Sequence, residues 1–283
     1  MYNDYWGLTE KPFENTPDPR FFYCSAKHEE ALMRLLYVVQ ERKGAFMLSG
    51  EYGSGKTLLS RIIVSRLMQK ENEYKVALIV NPVISDIELL GEIAYQLGED
   101  SINLSRKIDI IRHLNDIFYK SAQDNKHTVI IIDEAQAIAD ESIFEELRLL
   151  LNFQLNERFL VTLIILGQPE LIAKVDRLPQ LKQRLAMQYH LTTLNNFDTK
   201  NYIEHRCKVA GRSEPLFSEE AHRLIYDYSK GVPRKINNIC DLSLVIGMGE
   251  KVSIICERIT KEVINDFQQG QDAVSSAKEN ING

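Results

Sequence analysis

Gly50-Glu51-Tyr52-Gly53-Ser54-Gly55-Lys56-Thr57 fits the pattern G-x-x-x-x-G-K-[ST] in full. Its flanks fit as well. Residues 45–49 read as a short buried strand. Residues 57–69, with Leu58, Leu59, Ile62, Ile63 and Leu67 at helical spacing, read as a helix. A glycine-rich turn between strand and helix lets successive backbone N–H groups point at phosphate oxygens, and the helix N-terminus adds partial positive charge there. Lys56 can reach the β- and γ-phosphates of a nucleoside triphosphate as a point charge, and the Thr57 hydroxyl can ligate Mg²⁺. Gly50, Glu51, Tyr52, Gly53, Ser54, Gly55, Lys56 and Thr57 are therefore the candidate phosphate-binding residues. The bland alternative is a chance glycine-rich turn.

The second chemical signal lies downstream. Thr128-Val129-Ile130-Ile131-Ile132-Asp133-Glu134 is a β-branched run ending in two carboxylates. Open parallel sheets bind ligands at the carboxyl ends of their strands. At such a strand tip Asp133 would hold Mg²⁺, mostly through water, as a Walker B acid does. Glu134 would then be the catalytic base that polarises the attacking water. A solvated acidic turn is the alternative. Gln136 lies close by, either sensing the phosphate or making a plain hydrogen bond.

Around these two segments, strands alternate with amphipathic stretches. A first helix is read at 27–42, and further strands at 75–80, 160–166 and 187–191. Helices are read from the Ser85-Asp86-Ile87-Glu88 capping box to about 97, then at 105–123 and 141–155. This predicts an α/β fold with a parallel five-stranded sheet covered on both faces. After about residue 195 the strand signals fade, and helices at 198–210, 218–229, 233–248 and 257–267 make a small all-α domain. Residues 270–283 read as a frayed tail.

The composition excludes several classes. The 283 residues carry a formal net charge of −6, with 44% apolar and 26% charged types, which argues against a disordered, collagen-like or disulfide-scaffolded chain. Cys24, Cys207, Cys240 and Cys256 show no C-x-x-C spacing and read as reduced thiols. No signal peptide is read at the start, and no apolar run approaches the roughly 18 residues of a membrane span. Residues 195–265 hold eleven Lys/Arg against ten Asp/Glu, so no dense basic stripe supports DNA binding.

With these residues in view, the sequence resembles the AAA+ ATPases of the ExeA type, the general secretion pathway protein A family, over about residues 4–267. The likeness rests on Tyr5-Trp6-Gly7-Leu8, Lys11-Pro12-Phe13, and Thr16-Pro17-Asp18-Pro19-Arg20-Phe21-Phe22-Tyr23. It continues through the phosphate loop, Asn81-Pro82, Asp133-Glu134-Ala135-Gln136 and Gly167-Gln168-Pro169-Glu170-Leu171. It ends on Leu181-Lys182-Gln183-Arg184-Leu185 and Gly231-Val232-Pro233-Arg234-Lys235-Ile236-Asn237.

The resemblance implies a P-loop NTPase fold of the AAA+, ASCE class with a C-terminal helical lid. The expected division is 1–194 for the ATPase core with its aromatic opening, 195–268 for the lid and 269–283 for the tail. It implies ATP and Mg²⁺, Gln168 as a sensor of the γ-phosphate and Arg234 as a second sensor in the lid. It implies Arg184 as a finger reaching a neighbouring subunit's nucleotide, with Arg177 and Lys182 as rivals, and hence self-association. The aromatic opening either packs the first helix onto the sheet or forms part of an adenine pocket. Longer members carry a membrane span and a peptidoglycan-binding domain that are not read here, which puts direct cell-wall engagement in doubt. The expectation is an ATP-hydrolysing switch for a secretion, envelope or exopolysaccharide assembly system, in the cytoplasm or at the inner membrane face through a partner. The competing readings are an ATP-dependent DNA-binding regulator of the transposition type and a scaffold that holds ATP without hydrolysing it.

Overall fold

The computed structural model describes residues 2–98, 106–155 and 158–282, with side chains to residue 269 in the last helix. In chain order the elements are α1 (Asn3–Trp6), α2 (Ala26–Gln40), β1 (Ala45–Gly50), α3 (Lys56–Met68), β2 (Tyr74–Ile79), α4 (Asp86–Gln96) and α5 (Lys107–Gln123). Next come β3 (His127–Ile132), α6 (Glu141–Leu150), β4 (Gln154–Leu155), β5 (Arg158–Phe159), β6 (Val161–Gly167), α7 (Glu170–Asp176), α8 (Pro179–Lys182) and β7 (Leu185–Leu191). The chain closes with α9 (Asn196–Val209), α10 (Glu219–Ser229), α11 (Pro233–Gly249) and α12 (Glu257–Asn282). They form two units, Ala26–Thr192 and the combination of Met1–Ser25 with Thr193–Gly283.

The sheet unit holds five strands in the order β2-β3-β6-β1-β7, and every pairing among them is parallel. The three inner strands are buried along their whole length, whereas β2 and β7 at the edges are only partly covered. Alternation sorts the inner strands into two faces. Ala45, Met47, Ile130, Ile132, Leu163 and Ile165 pack with Leu90 and Ile93 of α4, Leu114 and Phe118 of α5 and Phe144 of α6. Phe46, Leu48, Val129, Ile131, Ile164 and Leu166 point the other way and are equally buried. That is the physical reason the strand sequences read as unbroken apolar runs.

Local signals set the element ends. The Ser85 capping box forms as expected, with Ser85 N–H donating to Glu88 Oε2 at 2.8 Å and Ser85 Oγ accepting from Glu88 N–H at 3.3 Å. Ser218 caps α10 by accepting from Ala221 N–H at 3.2 Å. The helix read at 141–155 stops at Leu150, and Gln154–Leu155 and Arg158–Phe159 supply a short antiparallel pair, β4 with β5, that two-residue strands could not announce. The first position of the helix read at 105–123 lies outside the described residues, and α5 starts at Lys107.

Two domain expectations change. The aromatic opening belongs to the helical unit: Tyr2, Trp6, Phe13 and Phe21 are buried in its core, beside Leu216, Phe217, Ile236 and Leu244. The Trp6 indole donates to Leu244 O at 2.9 Å, and Phe13 meets Phe217 edge-on at 6.0 Å. Arg206, 5% exposed, donates to the carbonyls of Pro12 and Glu14 and lies over the Phe21 ring at 4.8 Å. Buried donors need such partners, so one cation pins the opening segment in place. The tail differs as well, because the backbone of α12 stays helical to Asn282.

Trp6 is the single tryptophan and sits 1% exposed in the helical unit. Its emission should report unfolding of that unit. Trp6→Ala should cost about 3–5 kcal/mol, read as a lower urea midpoint by circular dichroism. A midpoint equal to the parent's would show that the opening segment does not anchor this core.

Candidate functional site

β1 ends at Gly50, and the chain curls through Glu51–Gly55 before entering α3 at Lys56. Gly53 and Gly55 sit at φ 76° and 100°, a region that side-chain-bearing residues avoid. At Gly50 a Cβ would lie 2.8 Å from Leu191 O and 3.0 Å from Ser54 Oγ, so the close approach of β7 requires glycine there. Ser54 is buried, and its hydroxyl has no hydrogen-bond partner among the described residues. The Lys56 ammonium curls back over the loop and donates to Gly50 O at 2.7 Å and Glu51 O at 2.9 Å. Burial pushes this ammonium below the usual lysine range, while the carboxylates of Glu134 and Asp133 pull the other way.

The acidic tip of β3 stands close to the start of α3. Asp133 is 1% exposed, and its Oδ1 accepts from Glu134 N–H at 2.9 Å. Its carboxylate takes a hydrogen bond from the Thr57 side chain, and the Ser60 hydroxyl lies 3.5 Å from Oδ2. Burial pushes the Asp133 carboxyl up. The Glu134 N–H and Thr57 hydrogen bonds and Lys56 oppose that shift, whereas the Glu134 charge adds to it.

Glu134 takes φ 52° and ψ 33°, a left-handed conformation uncommon for this residue type, and opens a 3-10 turn over Ala135–Ala137. Its Oε2 accepts from Gln136 Nε2 at 2.6 Å and Gln168 Nε2 at 3.4 Å. β6 runs between β3 and β1, so Gln168 at its tip stands between the two chemical segments.

The donor set fits Mg²⁺. Thr57 and Asp133 offer two adjacent oxygens, and this ion keeps several waters and binds through one or two protein groups plus substrate phosphates. Among the described residues, no cluster of three or more His, Cys, Asp or Glu competes as a metal centre.

Within the sheet unit, Arg184 and its rivals lie outside this cluster. Arg184 precedes β7, and pairing of Ala45 with Leu185 and Gly50 with Leu191 puts it at the opposite end of the sheet from the loop, about 20 Å along the strand. Its guanidinium donates to the neutral Asn152 side chain at 3.0 Å. Its rivals make ion pairs, Arg177 with Glu141 at 3.4 Å and Lys182 with Asp176 at 2.7 Å. Arg234 is the second residue of α11 in the helical unit. Sequence reasoning missed three supports. Ser60 lies one helical turn past Thr57, His28 on α2 stands 3.3 Å from Ser54 O, and Lys174 on α7 donates to the carbonyls of Gln136 and Ile138. Only helical spacing on α3 pointed to Ser60; His28 and Lys174 depend on tertiary packing.

A family model described as an AAA domain matches residues 39–175. General secretion pathway protein A of Aeromonas hydrophila is 37% identical over 250 residues, which cover 87% of this chain and 44% of that protein. The chain is an AAA+ P-loop protein of the general secretion pathway protein A type. It spans half or less of the length of the curated relatives it matches. Among solved structures, the Aeropyrum pernix ORC2 protein in its ADPNP-ADP complexes aligns with a TM-score of 0.64 at 18% identity, over 83% of this chain and 66% of that one. The Aeropyrum pernix ORC1 protein in complex with DNA aligns with a TM-score of 0.66 at 14% identity, over 91% and 69%. At these identities the likeness is one of fold, and it matches the five-stranded parallel sheet seen here.

The raised carboxyl of Asp133 has a consequence for stability. A carboxyl held above its unfolded value contributes stability that is present at low pH and lost as pH rises through the folded value. In nucleotide-free protein, Asp133→Asn should therefore raise the melting temperature at pH 7. The gap to the parent should close as pH falls toward about 4, where the unfolded carboxyl itself titrates. Thermal melts across that range check this, and a variant that melts lower at pH 7 would contradict it.

Proposed function

We propose that this chain binds ATP with Mg²⁺, hydrolyses the nucleotide, and acts as a self-associating switch on a bacterial secretion or envelope-assembly machine. One observation carries the reading. The loop lysine, the Thr57–Asp133 pair and a Glu134 carboxylate held by two amides converge at one end of one sheet. Membership of the AAA family, the secretion-pathway relative and a fold shared with a protein solved in ADPNP-ADP complexes all support it.

The chemistry follows from the residues. The loop amides and Lys56 bind the phosphates, and Thr57 and Asp133 hold the metal. When bound, the metal supplies positive charge against the phosphate oxygens. Glu134 orients the attacking water. It takes one proton as the water oxygen bonds to the γ-phosphorus and the bond to the β–γ bridging oxygen breaks, leaving ADP and phosphate. The Gln168 amide can donate to the γ-phosphate or to that water. Arg184, at the far end of its own sheet and bonded to a neutral amide, suits service to a neighbour's nucleotide, where a planar guanidinium matches phosphoryl charge. Arg234 would report nucleotide state from the lid. No helix among the described residues is long and apolar enough to cross a membrane. We place the protein in the cytoplasm or at the inner membrane face through a partner.

Glu134→Gln should lower ATP turnover by about 10²–10⁴-fold while leaving ATP binding intact. Steady-state phosphate release and nucleotide titration measure the two. Turnover at the parental rate, or a parent that hydrolyses no ATP at any protein concentration, would refute the reading.

A mixing experiment tests the trans role of Arg184. Arg184→Ala and Lys56→Ala should each be inactive alone. Mixed, they should recover part of the turnover, because one subunit supplies the loop and the other the arginine. Absence of recovery in mixtures shown to co-assemble would rule out the trans finger.

A further inference from the structure

We infer that Gln136 is a positioning residue for Glu134, tying the acidic tip of β3 to the tip of β6. This rests on the hydrolysis reading above. Its side-chain amide makes two bonds in opposite senses. Nε2 donates to Glu134 Oε2 at 2.6 Å, and Oε1 accepts from the Gln168 backbone N–H at 3.0 Å. The orientation of the amide is chemically forced, since an ionised carboxylate only accepts and a backbone N–H only donates. The two ends of one side chain therefore fix Glu134 relative to the strand that carries Gln168.

Three further features hold the clamp. The Lys174 ammonium donates to Gln136 O at 2.6 Å and Ile138 O at 2.5 Å, so α7 fixes the main chain on which the amide is mounted. Gly167 leaves it room, because a Cβ there would lie 2.8 Å from Gln136 Oε1. The Gln168 side chain adds a longer contact to Glu134 at 3.4 Å, on the same oxygen, Oε2. With both amides on Oε2, proton transfer falls to Oε1, and the carboxylate cannot swing without breaking a bond to β6. A movement of Gln168 is thereby transmitted to Glu134 through the Gln136 amide and through its own side chain.

Two variants with purified full chain and MgATP test this. Gln136→Ala removes both bonds. Turnover should fall about ten- to hundredfold, the scale of a misplaced catalytic group, with KM for ATP within about threefold of the parent. Gln136→Glu keeps an acceptor for Gln168 N–H but replaces the donor with a second carboxylate. An ionised carboxylate only accepts, so it cannot hold Glu134. Turnover should therefore fall at least as far as in Gln136→Ala, with KM for ATP again within about threefold of the parent.

Turnover of either variant within twofold of the parent would overturn the proposal. So would loss of nucleotide binding in both variants, which marks a merely structural residue. The two levels of failure are separable. An active parent with a dead Glu134→Gln and normal Gln136 variants sinks only the clamp. A parent without ATP turnover sinks the hydrolysis reading and the clamp together.

Discussion

The position of β6 between β1 and β3 is the constraint on which the site depends. A parallel sheet ends all its strands on one side, so strand order alone decides which tips are neighbours. Here the order puts the phosphate loop, the Gly167-Gln168 tip and the Asp133-Glu134 tip side by side. The in-register ladders of β6, with Ala45 opposite Leu163 and Thr128 opposite Val161, fix the heights of those tips. A slip of one residue on either ladder would reverse every side chain on a strand buried on both faces. The apolar side chains that close the core therefore also set the distances among the polar ones.

The same burial makes the site electrostatically costly. Lys56 and Asp133 are 4% and 1% exposed, and loss of water disfavours the charged form of each. Each is held by local bonds, the ammonium by loop carbonyls and the carboxylate by Glu134 N–H and Thr57. The attraction between them offsets only part of the desolvation, as the opposite directions of their shifts attest. A sheet end built for stability alone would carry neither group. Retaining both, at some expense in stability, is what the proposed nucleotide site would require.

Much of this was legible because it is written locally. The glycine-rich loop, the β-branched run into Asp133-Glu134 and the Ser85 and Ser218 caps each depend on residues within about one turn or one strand of one another, where spacing carries the physics. The three inner strands follow from apolar runs that only a two-sided sheet requires. The features that escaped are of other kinds. The aromatic opening has no period, and its prolines read as irregular chain. Its place in the helical unit is decided by Arg206 and Leu244, roughly two hundred residues later. The short β4–β5 pair lacks the length to register as strands. The task of Gln136 stayed ambiguous because one of its two partners belongs to a strand thirty-two residues away.

The backbone at Glu134 joins these threads. A left-handed non-glycine residue carries a strain of about 1–3 kcal/mol when held there by its surroundings. Glycine would relieve that strain but would remove the carboxylate. The strain persists because the turn is fixed from several sides. Asp133 Oδ1 accepts the Glu134 N–H, Lys174 holds the following carbonyls, and Gln136 and Gln168 hold the carboxylate itself. These bonds originate in the β3 tip and the turn that follows it, in α7 and in the β6 tip. The conformation of one residue is thus set by packing across several elements, which is how a fold can keep a carboxylate rigid on a segment that, taken alone, would relax.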